Sequence, residues 1–123
     1  MAVATHALSK WSFSAPNDVR TFEKQRLELL DIGDNHIGHS VTQPGWRWST
    51  HVGSVTGQKL CGVRHTLYII SGRTHVAMED GSEMEFGPGD VAFIPPGHDA
   101  WVVGDEPNEM IDFGGDIGSF GKR

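Results

Sequence analysis

The sequence has very little cysteine, no long apolar run and no concentrated basic segment. Cys61 is the only cysteine among 123 residues, which excludes an intramolecular disulfide and favours a reducing compartment. No apolar run approaches the length that a membrane-spanning helix needs. Residues 1–21 also lack the basic-then-apolar layout of a secretion signal, so we expect a cytoplasmic protein.

The charge distribution argues against two classes of partner. The formal net charge is −6 with neutral histidines, and the Lys and Arg residues are scattered along the chain. Nucleic-acid phosphates require a concentrated basic face, and anionic membranes attract polybasic clusters. We therefore expect neither a nucleic-acid partner nor a membrane partner.

Glycine and proline are abundant and lie between short apolar stretches. The 16 glycines and six prolines indicate many turns and many short strands. We predict strands at residues 26–32, 37–42, 46–52, 61–71, 74–79, 83–86, 91–94, 100–103 and 110–113, with a loop at 53–59 and a glycine-rich tail at 114–121. Such short, evenly spaced strands predict an all-β sandwich or barrel.

The N-terminal part carries weaker signals. Residues 17–31 fit a helical spacing, but 26–32 also fit a strand, which we favour because the rest of the chain is β. Before residue 18 there is no periodicity, although Trp11 and Phe13 alternate with polar residues. We divide the chain into an N-terminal arm at 1–21 and one domain at 22–123. An alternative for the arm is an added strand on a sheet edge, including that of a partner subunit.

Histidines follow glycine-rich turns in three separate stretches. His51 follows Gly45, His65 lies just before the apolar run at 67–70 and His98 follows a Pro-Pro-Gly turn. Histidines delivered by separate strands can converge on one ion, and imidazole suits Zn, Fe and Ni. We therefore predict a divalent metal ion held by His51, His65 and His98. The alternative is three unconnected histidines.

Further side chains are candidates for the wall of a substrate pocket: Arg47, Trp48, Cys61, Phe93 and Trp101. Arg47 could neutralise a substrate carboxylate or form a surface ion pair. The aromatic side chains could wall a flat organic ligand or pack in the core. Cys61 could supply a thiolate ligand, although a small buried apolar role is commoner. His39 could lie at the pocket mouth.

The glycines and prolines of these blocks resemble the two motifs of the cupin superfamily, which implies a double-stranded β-helix or small jelly roll. The resemblance spans residues 26–113, and the matching positions are Gly45, His51, Gly72, Gly89, Pro95 and Gly97. Three positions depart from the motifs. Gly53 replaces the second histidine of the first motif, and His65 replaces its glutamate. In the second motif the histidine is at 98 rather than 100, on the same strand face by alternation.

The resemblance implies a homodimer and a ligand site inside the barrel. We predict a metal-dependent enzyme acting on a small organic substrate, anionic or aromatic, by dioxygenase or by cyclase or isomerase chemistry. The alternative is a binding or sensor domain that captures a metabolite without converting it. Cupins perform many reactions on one fold, so the sequence assigns no catalytic residue.

Overall fold

Short segments of alternating apolar and polar residues form antiparallel strands, because alternate side chains then face the core and the solvent. The computed structural model describes residues 7–33 and 35–122. Within these residues the strands are β1 (Asp18–Phe22), β2 (Gln25–Ile32), β3 (Asn35–Thr42), β4 (His65–Ser71), β5 (Arg73–Met78), β6 (Glu83–Phe86), β7 (Val91–Ile94), β8 (His98–Val103) and β9 (Asn108–Asp112). The predicted all-β class is confirmed.

The strands pair in two antiparallel sheets that enclose the core. The larger sheet has the order β1-β2-β3-β9-β4-β7, and the smaller sheet has the order β6-β5-β8. Ile69 of the larger sheet and Val76 of the smaller one belong to the same buried apolar cluster. This arrangement is the predicted small jelly roll, and its interior is where side chains from distant strands meet.

The N-terminal strands form a hairpin within the chain. β1 pairs along its whole length with β2, from Asp18 opposite Leu29 to Phe22 opposite Gln25. The strand predicted at 26–32 is confirmed, and β1 crosses the predicted boundary between arm and domain. Residues 7–17 contain no strand, and 1–6 of the predicted arm lie outside the described residues.

The strand predicted at 46–52 is wrong. A π-helical turn occupies Ser49–Gly53, and a short helix, α1 (Ser54–Thr56), follows it in the predicted loop. Trp48 and Val52 are both buried at a spacing of four residues, which places them on one helical face. The helical segments are short, and none in the described chain is long and apolar enough to cross a bilayer.

The strand predicted at 61–71 begins later than expected. β4 starts at His65, and Cys61 makes only an isolated bridge to His98. The backbone N–H of Cys61 donates to His98 O over 2.8 Å, and Gly97 N–H donates to Cys61 O over 2.8 Å. These two bonds tie the Cys61 loop to the start of β8.

The glycine-rich tail is also part of the fold. It contains a 3₁₀ turn at Asp116–Ser119, and the side chains of Ile117 and Phe120 are buried. Both side chains line the central cavity described below. The tail therefore forms part of the cavity wall.

Candidate metal centre and central cavity

His65 is the first residue of β4 and is held by a buried carboxylate. Alternation along β4 buries His65, Leu67 and Ile69. His65 Nδ1–H donates to Asp112 Oδ2 over 2.5 Å, and Asp112 lies on β9. The other carboxylate oxygen accepts the backbone N–H of Gly114 over 3.0 Å. Because Nδ1 is occupied, the Nε2 lone pair of His65 is the one available to a ligand.

Cys61 is buried beside this histidine, with its Sγ 3.8 Å from His65 Nε2. Burial disfavours the thiolate of Cys61 and the imidazolium of His65, but the hydrogen bonds that these two groups make outweigh the effect of burial. Contact with His65 and His98 lowers the pKa of Cys61 to about 6. Contact with Asp112 and Cys61 raises the pKa of His65 to about 9. The pair therefore favours a thiolate facing an imidazolium, and a metal ion that binds here displaces the proton from His65.

His98 reaches the same place from β8. Its Nδ1–H donates to Pro95 O over 2.7 Å within the Pro-Pro-Gly turn. The ring centroids of His98 and His65 are 5.1 Å apart. His98 and Ala100 both line the central cavity, which confirms that they share a strand face. Like His65, His98 has its Nδ1 occupied, which leaves Nε2 as its free ligand atom.

Cys61, His65 and His98 form a buried group with the spacing of metal ligands. One ligand atom from each of the three lies within 4.8 Å of the others. A cation at about 2.3 Å from sulfur and about 2.0–2.1 Å from nitrogen can bridge the 3.8 Å between Cys61 Sγ and His65 Nε2. The donor set therefore fits a metal ion, with a fourth position left for a ligand.

His51, the third histidine of the predicted set, lies outside this group. It belongs to the π-helical turn, where its Nδ1 accepts the backbone N–H of Arg47 over 3.0 Å. Its Nε2 is 3.6 Å from Glu23 Oε2. The structure thus brings His65 and His98 together with Cys61, whereas the helical turn directs His51 to other partners.

A central cavity of about 50 Å³ adjoins the group between the two sheets. Trp48, one of the predicted pocket residues, lines it together with Trp46. The six-membered ring of Trp48 packs on Gly53, where an added Cβ would lie 2.7 Å from Trp48 Cζ3 and 2.5 Å from Gln58 O. A histidine therefore does not fit at residue 53, which explains this departure from the first cupin motif.

The other four predicted pocket residues do not line the central cavity, and one of them, Cys61, borders a different cavity beside His65. Arg47 is on the outside, where its Nε–H donates to Asp99 Oδ2 over 3.0 Å and its guanidinium lies 4.2 Å from the Trp101 ring centre. Trp101 also stacks on His75 at 4.7 Å. Phe93 is 62 % exposed and borders a separate surface cavity. The side chains of Arg47, Trp101 and Phe93 therefore lie on the outer side of the barrel.

His39 is also on the outer face of its sheet rather than at the pocket mouth. Its ring contacts Glu28 Oε1 over 2.8 Å and Glu109 Oε2 over 2.6 Å, and Phe13 packs 5.4 Å from the ring centre. Burial opposes protonation, but the carboxylates outweigh it and raise the pKa of His39. This cluster joins β2, β3 and β9 and lies away from the central cavity.

Sequence reasoning missed three residues of the site. Asp112 is buried at the end of β9 between the apolar residues Ile111 and Phe113, and a carboxylate in such a setting is a signal for a partner inside the core. Trp46 lines the cavity beside Trp48, and Gln25 lines it from β2. In the described chain the indole nitrogens of Trp46 and Trp48 and Oε1 of Gln25 are buried without a hydrogen-bond partner.

Comparison with known proteins gives one match by family and many by fold. Residues 45–106 match the model of the EutQ-like cupin domain. No protein of the curated set matches the chain.

Three solved structures illustrate the likeness of fold. Oxalate decarboxylase of Lactobacillus farciminis, in a formate complex, aligns over 81% of this chain and 31% of its own, with 21% identity and a TM-score of 0.59. The polyketide cyclase RemF of Streptomyces resistomycificus aligns over 86% and 78%, with 15% identity and a TM-score of 0.59. A putative ethanolamine utilization protein Q of Salmonella typhimurium aligns over 74% and 70%, with 17% identity and a TM-score of 0.51. The chain spans about a third of the oxalate decarboxylase, and at these identities the likeness is one of fold.

Proposed function

Because this chain belongs to the EutQ-like cupin family, we propose that it is a metal-dependent cupin enzyme acting on a small organic molecule in the central cavity. The main observation that supports this proposal is the buried group of one thiol and two imidazoles that adjoins this cavity. The ligands of the proposed divalent cation are Cys61, His65 and His98.

The donor set favours zinc among the divalent metals. A thiolate with two imidazoles is a soft set of three protein ligands, which suits four-coordinate zinc with one open position. When bound, such a cation supplies Lewis-acid polarisation of a substrate oxygen. A redox-inert metal supports cyclase or isomerase chemistry rather than dioxygenase chemistry.

The remaining residues prepare the ligands and exclude water. Asp112 fixes the tautomer and orientation of His65, and Pro95 O does the same for His98. Leu67, Ile94 and Phe120 give the cavity an apolar wall, which strengthens electrostatic interactions inside it.

A binding or sensor protein is the second candidate, and one observation favours it. The ionisable side chains among the described residues lining the cavity are His65, His98 and Asp112, and each already has a partner or ligand role. The cavity therefore offers no separate general acid or base to a substrate. Measured turnover of a bound compound would favour the enzyme, and binding without turnover would favour the sensor.

The thiolate ligand is tested by replacing Cys61 with serine. We expect purified wild-type protein to contain about one equivalent of zinc, and its cobalt-substituted form to show an intense thiolate-to-cobalt charge-transfer band. Cys61→Ser should lose this band and lower metal affinity by at least about tenfold, because an alcohol is a poor ligand for zinc. Metal content is measured by elemental analysis and the band by absorption spectroscopy.

His51→Ala is the matched control, since His51 lies outside the group. It should keep both the metal and the band. A wild-type cobalt spectrum without thiolate character, or metal loss in His51→Ala alone, would contradict this ligand set. A thiolate ligand needs reduced cysteine, which supports a cytoplasmic location.

We also infer that the chain forms a homodimer through the outer face of the larger sheet near β7. Tyr68, Ile70, Val91 and Phe93 are between 41% and 63% exposed there, a concentration of apolar surface typical of an interface. Sedimentation should give twice the 13.5 kDa mass of one chain. Phe93→Arg should give monomers, and Val55→Arg, an exposed site on α1, should not. A wild-type monomer at micromolar concentration would refute this inference.

A further inference from the structure

We propose that the glycine-rich tail, residues 114–121, is a hinged cover of the central cavity, and that Arg20 holds it closed. Opening of the tail admits the substrate and the metal ion, so this inference rests on the proposed function for what enters the site. The closure itself consists of contacts among the described residues.

The tail separates the central cavity from a cleft on the surface. Ile117 and Phe120 are buried and line the cavity on the inner side of the tail. Ser119 and Gly121 line a cleft of about 350 Å³ on its outer side, and Cys61 borders the same cleft. Because Cys61 is one of the proposed metal ligands, outward movement of the tail joins the cleft to the metal centre and the cavity.

The tail has fewer backbone hydrogen bonds to the barrel than the rest of the cavity wall. Most lining residues lie on strands, and Trp46, which does not, accepts the backbone N–H of Val102 of β8 over 3.1 Å. After Gly114, the backbone–backbone bonds of the described tail stay within it, as from Phe120 N–H to Ile117 O over 3.0 Å. The tail can therefore move without breaking a sheet.

Arg20 of β1 makes the shortest polar contacts to the tail. Its Nη1 carries two hydrogens and donates to Gly118 O and to Phe120 O, each over 2.7 Å. Its Nε–H donates to Asp18 Oδ2 over 3.1 Å, which fixes the guanidinium group. The Arg20 side chain is 19% exposed. Hydrogen bonds from a charged, largely buried donor are stronger than neutral ones, so this contact holds the tail closed.

A second arginine contacts the start of the tail from a more exposed position. Arg64 Nη2–H donates to Gly114 O over 3.3 Å, and Arg64 Nε is 3.2 Å from Asp116 Oδ2. About half of each of the Arg64 and Asp116 side chains is exposed. Exposed ion pairs contribute little to stability, so Arg20 is the stronger of the two attachments.

The hinge of the tail lies at Gly115. The two residues before it are fixed, because Phe113 N–H donates to Thr66 O and Gly114 N–H donates to Asp112 Oδ1, each over 3.0 Å. Gly115 has φ +93°, a conformation that favours glycine, and the 3₁₀ turn begins at the next residue. Rotation at Gly115 moves the turn outward and leaves the carboxylate of Asp112 in place.

Hydrogen exchange followed by mass spectrometry tests this inference on full-length protein as purified. In Arg20→Met, amides of residues 116–121 should exchange at least about tenfold faster than in wild type, because a hydrogen bond to a charged group contributes about tenfold to the closing equilibrium. Amides of β4 should be unchanged. Arg26→Met is the matched control, since Arg26 lies on the neighbouring β2 and contacts Glu28; its tail should exchange like that of wild type.

The single cysteine gives a second measurement. Cys61 is 1% exposed beside the tail, so its reaction with Ellman's reagent in the presence of a chelator reports opening. Arg20→Met should react at least about tenfold faster than wild type, and Arg26→Met should not. Arg20→Lys keeps the charge but lacks the guanidinium fork, so we expect a smaller acceleration. It carries the test if Arg20→Met does not fold.

Two results would overturn the role of Arg20. One is equal tail exchange and equal Cys61 reactivity in the Arg20 variants and wild type. The other is acceleration that extends equally through β4, which means a global loss of stability. Faster tail exchange in protein that binds no metal would instead refute the proposed function and leave the hinged tail standing.

Discussion

Replacing His65 with alanine is expected to abolish metal uptake. In the proposed site His65 supplies one of three ligand atoms, and the two that remain, from Cys61 and His98, lie on a loop and on β8. Among the described residues no other group completes the site. A site with two protein ligands retains little affinity for zinc. Elemental analysis of protein purified without added metal is the measurement, and cobalt absorption is the second.

The alanine substitution also leaves the buried carboxylate of Asp112 without its imidazole partner, which threatens folding. His65→Gln offers a side-chain amide N–H to that carboxylate, so we expect it to fold and still to lack the metal. His75→Ala is the control for histidine content, because His75 stacks on Trp101 outside the cavity. Stoichiometric metal in folded His65→Gln would contradict the site.

Asp112→Asn should weaken metal binding without abolishing it. The amide still contacts His65 but no longer stabilises its ring as a carboxylate does, and such changes lower metal affinity by about 10–100-fold. A competition titration against a chelator measures this. An affinity equal to that of wild type would mean that Asp112 does not orient His65 for the metal.

The fold was predictable from the sequence because its signals are local. Alternating side chains and glycine or proline turns indicated most strands to within a few residues, including β6 and β7 at the bounds observed. The inward positions of His65 and His98 were predictable for a related reason, since alternation sets the inward face of the strands that contain them. The family model then matched the segment that contains both motifs.

The position of Cys61 beside the two histidines, in place of His51, was not predictable, because residues 46–53 adopt a local conformation that alternation misrepresents. Trp46 and Trp48 are two residues apart, as in a strand, whereas burial of Trp48 and Val52 follows a helical spacing. A strand with Trp46 and Trp48 facing the interior would place His51 on its outer face, so alternation itself does not bring His51 to the group. In the π-helical turn His51 also lies outside the group, and Cys61 lies beside His65 instead.

The second layer of the site depends on strand order, which short-range patterns do not encode. Asp112 reaches His65 because β9 pairs with β4, 47 residues away in sequence. Gln25 reaches the cavity from β2, and Phe120 from the tail after the last strand. Each of these contacts is a consequence of tertiary packing, so each can be identified only once the arrangement of the two sheets is known.

The largest effect on stability is expected for Gly72→Ala, at the turn between β4 and β5. Gly72 has φ +75°, and an added methyl group would overlap the carbonyl oxygen of Pro107 and come within 2.7 Å of Asn108 Cα. Both obstacles are backbone atoms at the start of β9, which side-chain rotation cannot relieve. Left-handed backbone at alanine costs about 1 kcal/mol and overpacking adds about 1–3 kcal/mol, so unfolding free energy should fall by about 3 kcal/mol.

Gly57→Ala is the matched control, because Gly57 has φ +81° with no atom within 4 Å of an added Cβ. The unfolding free energy of this variant should fall by only about 1 kcal/mol. Urea unfolding of both variants in one buffer measures the difference, and equal losses would show that the close approach of β9 to this turn does not contribute to stability.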